Sequence, residues 1–189
     1  MEYLIGAILG ALVVVIRNSI KDGARRERAR RYDISDPGNQ IRFVQDAQLY
    51  PRKPINAEAF RAVFKPVETY LSSKKAGYRL FAEVSMGSFV KTSKYEGTAG
   101  QQNRAYSSFG SKRVDFLIID PLGNPALVIE YHGSGHYQGD AERRDAVKRT
   151  VLSRAGIALI EVHEDAPASQ VVEAVARKLG GRHKRTGPW

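Results

Sequence analysis

The sequence predicts an α/β domain that follows a hydrophobic N-terminal helix. The first observation is an ordered series of segments that alternate between helical periodicity and short, strand-like apolar runs. Their order is helix, three strands, helix, strand and helix, which favours a sheet covered by helices. The second observation is an unbroken apolar run near the N-terminus. It has no polar stripe, so it does not fit an amphipathic surface helix.

The composition is compatible with one globular domain and its appendages. The chain has 189 residues, of which 42% are apolar, so a hydrophobic core is possible and general disorder is excluded. The absence of cysteine excludes disulfides, thiolate metal sites and cysteine nucleophiles. The net charge is +10, and half of it lies within Arg17–Arg31. This balance favours a polyanionic partner, either nucleic acid or an anionic membrane surface.

The first element is the apolar run Tyr3–Ile16, with the sequence YLIGAILGALVVVI. Glu2 is the only charged side chain before it, and basic residues follow it. This order predicts an uncleaved single-pass anchor over residues 1–17, in the inner (cytoplasmic) membrane, with the remaining chain in the cytoplasm. The run is short, about 21 Å for a hydrocarbon core of about 30 Å. A cleaved signal peptide and a buried or interfacial helix therefore stay open as alternatives.

Residues 18–50 are predicted to form a basic juxtamembrane helix and a polar linker. The arginines of segment 17–31 would lie near anionic lipid headgroups, although the same residues could contact nucleic acid. Gly6 and Gly10 form a G-x-x-x-G match through which two anchors could pair as a homodimer. The alternative is that glycine is simply frequent in membrane helices.

The globular part is predicted over residues 51–180, with a loose basic tail over 181–189. Its first helix covers Ala57–Ser72, because apolar residues recur there at helical spacing and Asn56 is a suitable N-cap. Pro66 is expected to kink or split this helix. Apolar runs predict four strands, and helical spacing predicts two more helices: strands Tyr78–Met86, Arg113–Asp120, Pro125–His132 and Ile157–His163, and helices Asp140–Ala155 and Ala166–Leu179.

One long segment has no such pattern. Gly87–Gly110 is polar and rich in glycine, which predicts a long loop or irregular excursion. Loops of that length within a compact domain are often functional.

Two acidic residues fall on facing positions of the predicted hairpin. A turn centred between Leu122 and Gly123 pairs residues whose numbers sum to 245, so Asp115 faces Glu130. Because side chains alternate along a strand, His132 shares their face of the sheet.

Two opposed carboxylates in an apolar hairpin repel each other, and burying them without partners is costly. A divalent cation with oxygen ligands, Mg²⁺ or Mn²⁺, would relieve the conflict between Asp115 and Glu130. A solvated strand end, with Arg113 or Lys112 as the partner, would relieve it as well.

This ordered set of residues resembles the PD-(D/E)XK nuclease superfamily. The match consists of Asp115 and then Glu130-Tyr131-His132 on adjacent strands, followed by a helix. Over roughly residues 55–180, the order of elements is similar to the restriction-endonuclease-like core, a central mixed sheet flanked by helices. The stretch Val128–His136, the pair Arg144-Asp145 and Ala155-Gly156-Ile157 look like the branch near very-short-patch-repair endonucleases. Within that branch, the chain resembles a bacterial family of unknown function whose members often carry a membrane anchor.

The resemblance implies metal-dependent hydrolysis of DNA phosphodiesters. Asp115, Glu130 and the carbonyl of Tyr131 would hold Mg²⁺ or Mn²⁺. His132 stands where the superfamily has a lysine and could orient or deprotonate water. It could equally mark a nuclease fold that binds nucleic acid or a protein without cutting. His136, in the following loop, is a second candidate for acid–base chemistry, or else a loop histidine that caps the next helix.

Other charged residues surround this predicted site. Lys148 could supply a displaced ammonium, although the sequence favours a solvent-exposed helix lysine. Glu83 and Glu58 could add a metal ligand, although an exposed carboxylate is favoured for each. A basic set is predicted to hold DNA phosphates, with a merely solvated basic surface as the alternative: Lys112, Arg113, Arg143, Arg144 and Lys148.

Overall fold

The computed structural model describes residues 2–93, 95–133 and 140–182. The chain divides into two compact units, one up to Arg52 and one from Lys53 onwards. The described part of the first unit consists of α1 (Glu2–Arg31), α2 (Pro37–Gln45) and the segments around them.

The end of α1 is fastened to α2 by hydrogen bonds. Asn39 Nδ2 donates to the carbonyl of Arg30 at 2.7 Å, and Arg42 Nη2 donates to the carbonyl of Arg31 at 2.6 Å. Asp36 caps α2 by accepting from the Asn39 N–H at 2.9 Å. The last carbonyls of a helix have no partner within the helix, so α2 supplies the partners that α1 needs at its end.

The predicted membrane anchor is wrong. Across the part of the chain that the structure describes, no helix contains an 18-residue stretch apolar enough to cross a membrane. The reason is that the apolar run ends at Ile16, while α1 continues through Arg17 to Arg31. A membrane span needs about 20 predominantly apolar residues. The single-pass topology and the inner-membrane localisation, which were predicted from Tyr3–Ile16, are therefore wrong as well.

In its described residues, the second unit has five α-helical segments and four strands. The helical segments are α3 (Ala57–Ala59), α4 (Lys65–Lys74), α5 (Ala99–Phe109), α6 (Asp140–Arg154) and α7 (Ala168–Arg182). The strands are β1 (Arg79–Ser85), β2 (Arg113–Ile119), β3 (Pro125–His132) and β4 (Ala158–His163).

The four strands form one mixed sheet in the order β1-β2-β3-β4. The pairs β1–β2 and β2–β3 are antiparallel, and β3–β4 is parallel. A parallel pair requires a crossover connection, and α6 lies in that connection. The predicted α/β class, with a central mixed sheet flanked by helices, is confirmed.

Each face of the sheet is covered by an apolar layer. The first layer joins β2 and β3 to α4, α7 and the turns between α3 and α4, and includes Phe116, Ile129, Val63, Val67 and Val175. The second layer joins the other face to α5 and α6, and includes Leu117, Val128, Phe109 and Leu152. Covering on both faces explains why β2 and β3 have nearly continuous apolar sequences.

The first predicted helix of the globular part is interrupted before its proline. Phe60–Phe64 form a π-helical turn between α3 and α4. Pro66 cannot donate a backbone hydrogen bond, and its ring crowds the preceding turn, so a local widening of the helix accommodates it. The predicted N-cap is confirmed, since Asn56 Oδ1 accepts from the Ala59 N–H at 2.7 Å.

The prediction of a long loop or irregular excursion over Gly87–Gly110 is wrong for Ala99–Phe109, which form α5. Thr98 and Gln101 form a capping box at the start of this helix. That spacing is itself a helix-start signal that the sequence contains. Apolar periodicity does not indicate this helix, because Phe109 alone among its residues is buried and one residue makes no repeating pattern.

Candidate active site

Strands β2 and β3 pair in the register predicted from the turn. Three observed pairs have numbers that sum to 245: Phe116 with Ile129, Leu117 with Val128, and Ile118 with Leu127. The register shifts only beyond Ile118, next to the turn. Asp115 and Glu130 stand one position beyond Phe116 and Ile129, the pair of this ladder farthest from the turn. Val128 belongs to the second apolar layer, so alternation directs Glu130 to the face covered by α5 and α6, where it meets Lys148 of α6. Asp115 is close enough to Glu130 for its charge to raise the pKa of that carboxyl group.

Asp115 is held by the backbone of the neighbouring strand. The Tyr131 N–H donates to Asp115 Oδ2 at 2.7 Å. The Tyr131 side chain is buried in the first apolar layer, on the other face of the sheet, where burial raises its pKa. Tyr131 therefore contributes to this site through its backbone alone.

Glu130 is a carboxylate within an apolar layer, with 6% of its surface exposed. Its Oε2 atom lies 2.7 Å from Lys148 Nζ. Its Oε1 atom is buried and has no hydrogen-bond partner among the described residues. Burial raises the pKa of Glu130 to about 7, with a further increase from the negative charge of Asp115 and an opposing effect of Lys148.

Lys148 is not the solvent-exposed helix lysine that the sequence favours. Its side chain is 15% exposed, and its ammonium lies 2.7 Å from Glu130 and 3.8 Å from Asp145 Oδ1. A signal for this position does exist in the sequence. Residues three or four apart share a helix face, and Leu152, four residues on, is fully buried. Lys148 therefore points from α6 towards the sheet.

His132 belongs to a second charged group at the same end of the sheet. Its Nε2 atom lies 3.4 Å from Glu161 Oε1, which also accepts from Arg149 Nη1 at 2.7 Å. The His132 ring stacks on His163 of β4, with centroids 5.5 Å apart. The sequence gave no reason to connect Glu161, His163 or Arg149 with His132, because the pairing of β4 with β3 is a tertiary property.

The remaining predicted residues are distributed as follows. Arg113 is exposed at the start of β2, next to the half-buried Lys112, and Arg143 is exposed on α6. Phosphate binding by these residues stays a prediction. His136 and the side chain of Arg144 lie outside the described residues.

The two additional carboxylate candidates are both exposed. Glu58 lies in α3, on the first-layer side of the sheet. Glu83 lies in β1 between Ala82 and Val84, which pair with the two neighbours of Asp115. It has a φ of 54°, an uncommon left-handed conformation for a residue other than glycine.

The carboxylate oxygens of Asp115 and Glu130 are suitable ligands for a hard divalent cation that takes few ligands from the protein. Among the described residues, no three His, Asp or Glu side chains are grouped to hold a metal ion. The second oxygen of Glu130 is nevertheless buried and lacks a hydrogen bond within that set. Mg²⁺ often binds through one or two carboxylates and takes its other ligands from water and substrate phosphate. The two carboxylates fit that pattern.

Comparison with known proteins gives the family. A family model described as "Protein of unknown function (DUF2726)" matches residues 52–179. The chain belongs to this family. The matched DUF2726 region contains every described residue of the candidate site, including Asp115, Glu130 and Lys148.

Two curated relatives each match more than half of the chain. An "Uncharacterized protein" of Haemophilus influenzae is 41% identical over 112 residues, which cover 59% of this chain and 55% of that protein. The "Uncharacterized protein y4bI" of Sinorhizobium fredii is 32% identical over 113 residues, which cover 60% of this chain and 76% of that protein. The chain thus spans about half the length of the Haemophilus relative. No solved structure matches the chain.

Proposed function

We propose that this DUF2726 protein is a DNA endonuclease that hydrolyses phosphodiester bonds with Mg²⁺ or Mn²⁺. The observation that carries the proposal is the buried Glu130 carboxylate, which has one oxygen without a hydrogen bond among the described residues and lies close enough to Asp115 for the two charges to interact. A buried carboxylate oxygen without a hydrogen bond lowers the stability of the fold, so its presence indicates a role other than stability.

The topology supports the proposal. The four strands form one mixed sheet, with a helix before β1 and the crossover helix α6 between β3 and β4. Asp115 and Glu130 lie on the adjacent strands β2 and β3. This arrangement is similar to the restriction-endonuclease-like core that the sequence resembles. We assign the second unit to that fold as part of the proposal.

Different residues of the site have different roles in the proposed reaction. Asp115 and Glu130 hold the cation, and the Tyr131 N–H keeps Asp115 in place. A bound divalent cation would activate water and neutralise charge on the phosphate. Because the pKa of Glu130 is raised to about 7, the cation competes with a proton for this carboxylate near neutral pH. Exposed basic residues such as Arg113 and Arg143 hold the DNA backbone.

A second candidate function is a nuclease fold that binds DNA or a protein without cutting. The observation that favours it is His132, which stands in the position of the superfamily lysine and contacts Glu161 and His163 on the neighbouring strand. The two functions differ in one measurable property, which is metal-dependent cleavage.

The test is cleavage of supercoiled plasmid, linear duplex and single-stranded DNA by the full-length protein, with Mg²⁺ or Mn²⁺ and with a chelator. We expect Asp115→Asn and Glu130→Gln each to lower the rate at least 100-fold, because each removes a ligand charge without changing the shape of the side chain. Glu173→Gln is the matched control, since Glu173 is an exposed carboxylate on α7, and it should cleave at the wild-type rate.

Two outcomes would contradict the proposal. If wild type binds DNA but cuts none of the three substrates with either metal, the non-cutting function replaces it. If wild type cuts and Asp115→Asn cuts equally well, the activity belongs to another site.

A further inference from the structure

We propose that Lys148 is the catalytic cation of this site, and that its ammonium stabilises the negative charge that develops on the scissile phosphate. This assignment rests on the proposed function and adds to it a residue on α6, outside the strand motif.

The first argument is contact. Lys148 Nζ lies 2.7 Å from Oε2 of Glu130, while Oε1 of the same carboxylate has no hydrogen bond among the described residues. An ammonium has three donors, and the bond to Glu130 uses one of them. The side chain keeps 15% of its surface exposed. Lys148 can therefore donate to a phosphate oxygen that approaches Glu130 without releasing the carboxylate.

The second argument is charge. The ammonium of Lys148 lies near Glu130 and Asp145, and the charge of Asp115 acts on Glu130 as well. This concentration of carboxylates repels a DNA phosphate unless cations offset it. A buried ion pair contributes little net stability compared with apolar residues of similar volume. Stability alone therefore does not explain a lysine at this position, whereas binding of a polyanion does.

The third argument concerns the competing residue. His132 faces Glu161 at 3.4 Å and stacks on His163, and Glu161 is bound in turn by Arg149. These contacts direct the imidazole towards β4. Lys148, by contrast, touches the carboxylate at the centre of the proposed chemistry.

The chemical role requires no proton from Lys148. Water adds to phosphorus as the bond from phosphorus to the leaving oxygen breaks, so the hydroxyl group ends on the phosphate and a proton ends on the leaving oxygen. Throughout this step the ammonium stays charged and donates to a non-bridging oxygen, where fixed positive charge stabilises the transition state. Removing it should slow the chemical step far more than it weakens metal binding.

The test compares the full-length protein with Lys148→Met, Lys148→Arg, His132→Ala and the double variant Lys148→Met/His132→Lys. Lys178→Met, an exposed lysine of α7, is the control. The readouts are single-turnover cleavage, Mn²⁺ affinity by electron paramagnetic resonance, and the thermal unfolding transition.

We expect Lys148→Met to lower the single-turnover rate at least 100-fold, well beyond any loss of Mn²⁺ affinity, and His132→Ala to lower it less than tenfold. Lys148→Arg should retain more activity than Lys148→Met, because the charge remains. The double variant should recover at least tenfold over Lys148→Met, because residue 132 lies on the same face of the sheet and restores an ammonium there. Lys178→Met should behave as wild type.

Several results would overturn the assignment. One is a larger loss in His132→Ala than in Lys148→Met. Another is a Lys148→Met variant whose loss of rate is matched by its loss of Mn²⁺ affinity, which would make the lysine structural. If Lys148→Met does not fold but the double variant does, a double variant that fails to cleave DNA would also overturn the assignment. If wild type cuts and Lys148→Met cuts equally well, this assignment alone fails. If wild type never cuts, the proposed function fails, and this assignment fails with it.

Discussion

Glu130 occupies an unusual environment for a charged residue. Among the described residues it is the one charged side chain that is buried, and it lies on the face of the sheet that carries the second apolar layer. Burial and the nearby Asp115 charge raise its pKa to about 7, while Lys148 only partly offsets them. The carboxyl group therefore retains its proton in the folded protein at pH values where the unfolded chain has already lost it.

This difference predicts a pH-dependent stability in the absence of metal. Between about pH 4.5 and pH 7 the folded state holds one proton more than the unfolded state, so the free energy of unfolding falls as pH rises through this window. The total decrease due to Glu130 should be about 3 kcal/mol. Urea unfolding of the chelated protein at a series of pH values measures it.

The matched control for this prediction is Glu130→Gln, which has the same shape and does not titrate. The wild-type curve should fall relative to the variant curve between pH 4.5 and 7. Parallel curves for the two proteins would show that Glu130 titrates normally.

For individual residues, the sequence predicts the two carboxylates of this site but not the side chains that contact the site from other elements. Asp115 and Glu130 are connected by a turn whose composition sets the register, which is local information. Lys148 and Glu161 reach the site from α6 and β4, and their approach depends on how those elements pack. That information lies in the tertiary structure, apart from the helical spacing between Lys148 and Leu152.

At the scale of elements, strands were easier to predict than the excursion between β1 and β2. The sequence places β3 at its observed bounds, Pro125–His132, because an apolar run between turn residues is a strong signal. Helix α5 was missed because it packs mainly through Phe109. Its backbone also approaches the end of β1 closely, with the Gly87 N–H bonded to the Gly110 carbonyl at 3.1 Å.

That close approach predicts the effect of a methyl group at Gly87. A Cβ there would lie 2.8 Å from the Gly110 carbonyl oxygen and 2.6 Å from the Tyr106 hydroxyl. Because the first of these is a backbone atom, α5 must shift, and Gly87→Ala should lower the free energy of unfolding by about 1–3 kcal/mol. Urea denaturation of the full-length protein gives this difference.

Gly180→Ala is the control for the same substitution. Gly180 lies within α7, and a Cβ there has no described atom within 4 Å. Alanine should be neutral or slightly stabilising at this position, since it is the better helix former. A Gly87→Ala protein as stable as wild type would mean that α5 does not pack against this turn as described.

For the whole molecule, charge is the property most directly connected with a partner. From Lys53 onwards the chain has 21 Lys and Arg and 14 Asp and Glu, a net charge of +7. Positive charge is thus not confined to the arginine-rich end of α1. The unit that contains the candidate site can attract a polyanion by itself.

The final prediction concerns DNA binding by the full-length protein in the presence of a chelator. If the backbone of DNA contacts the site end of the sheet, binding should weaken steeply with salt, because each phosphate contact releases about one counterion. Arg113→Gln should weaken binding and reduce the slope of log K against log salt by about one.

Arg79→Gln is the matched control for this prediction. Both arginines are exposed at the start of a strand, but Arg79 pairs with Ile119 at the turn end of the sheet, whereas Arg113 pairs with Ser85 at the site end. Fluorescence anisotropy with a short duplex measures both variants, and Arg79→Gln should bind as wild type. Equal losses in the two variants would indicate diffuse attraction by the whole surface. Binding that is insensitive to salt would exclude the phosphate backbone as the main contact, and with it the orientation of DNA across Asp115 and Glu130.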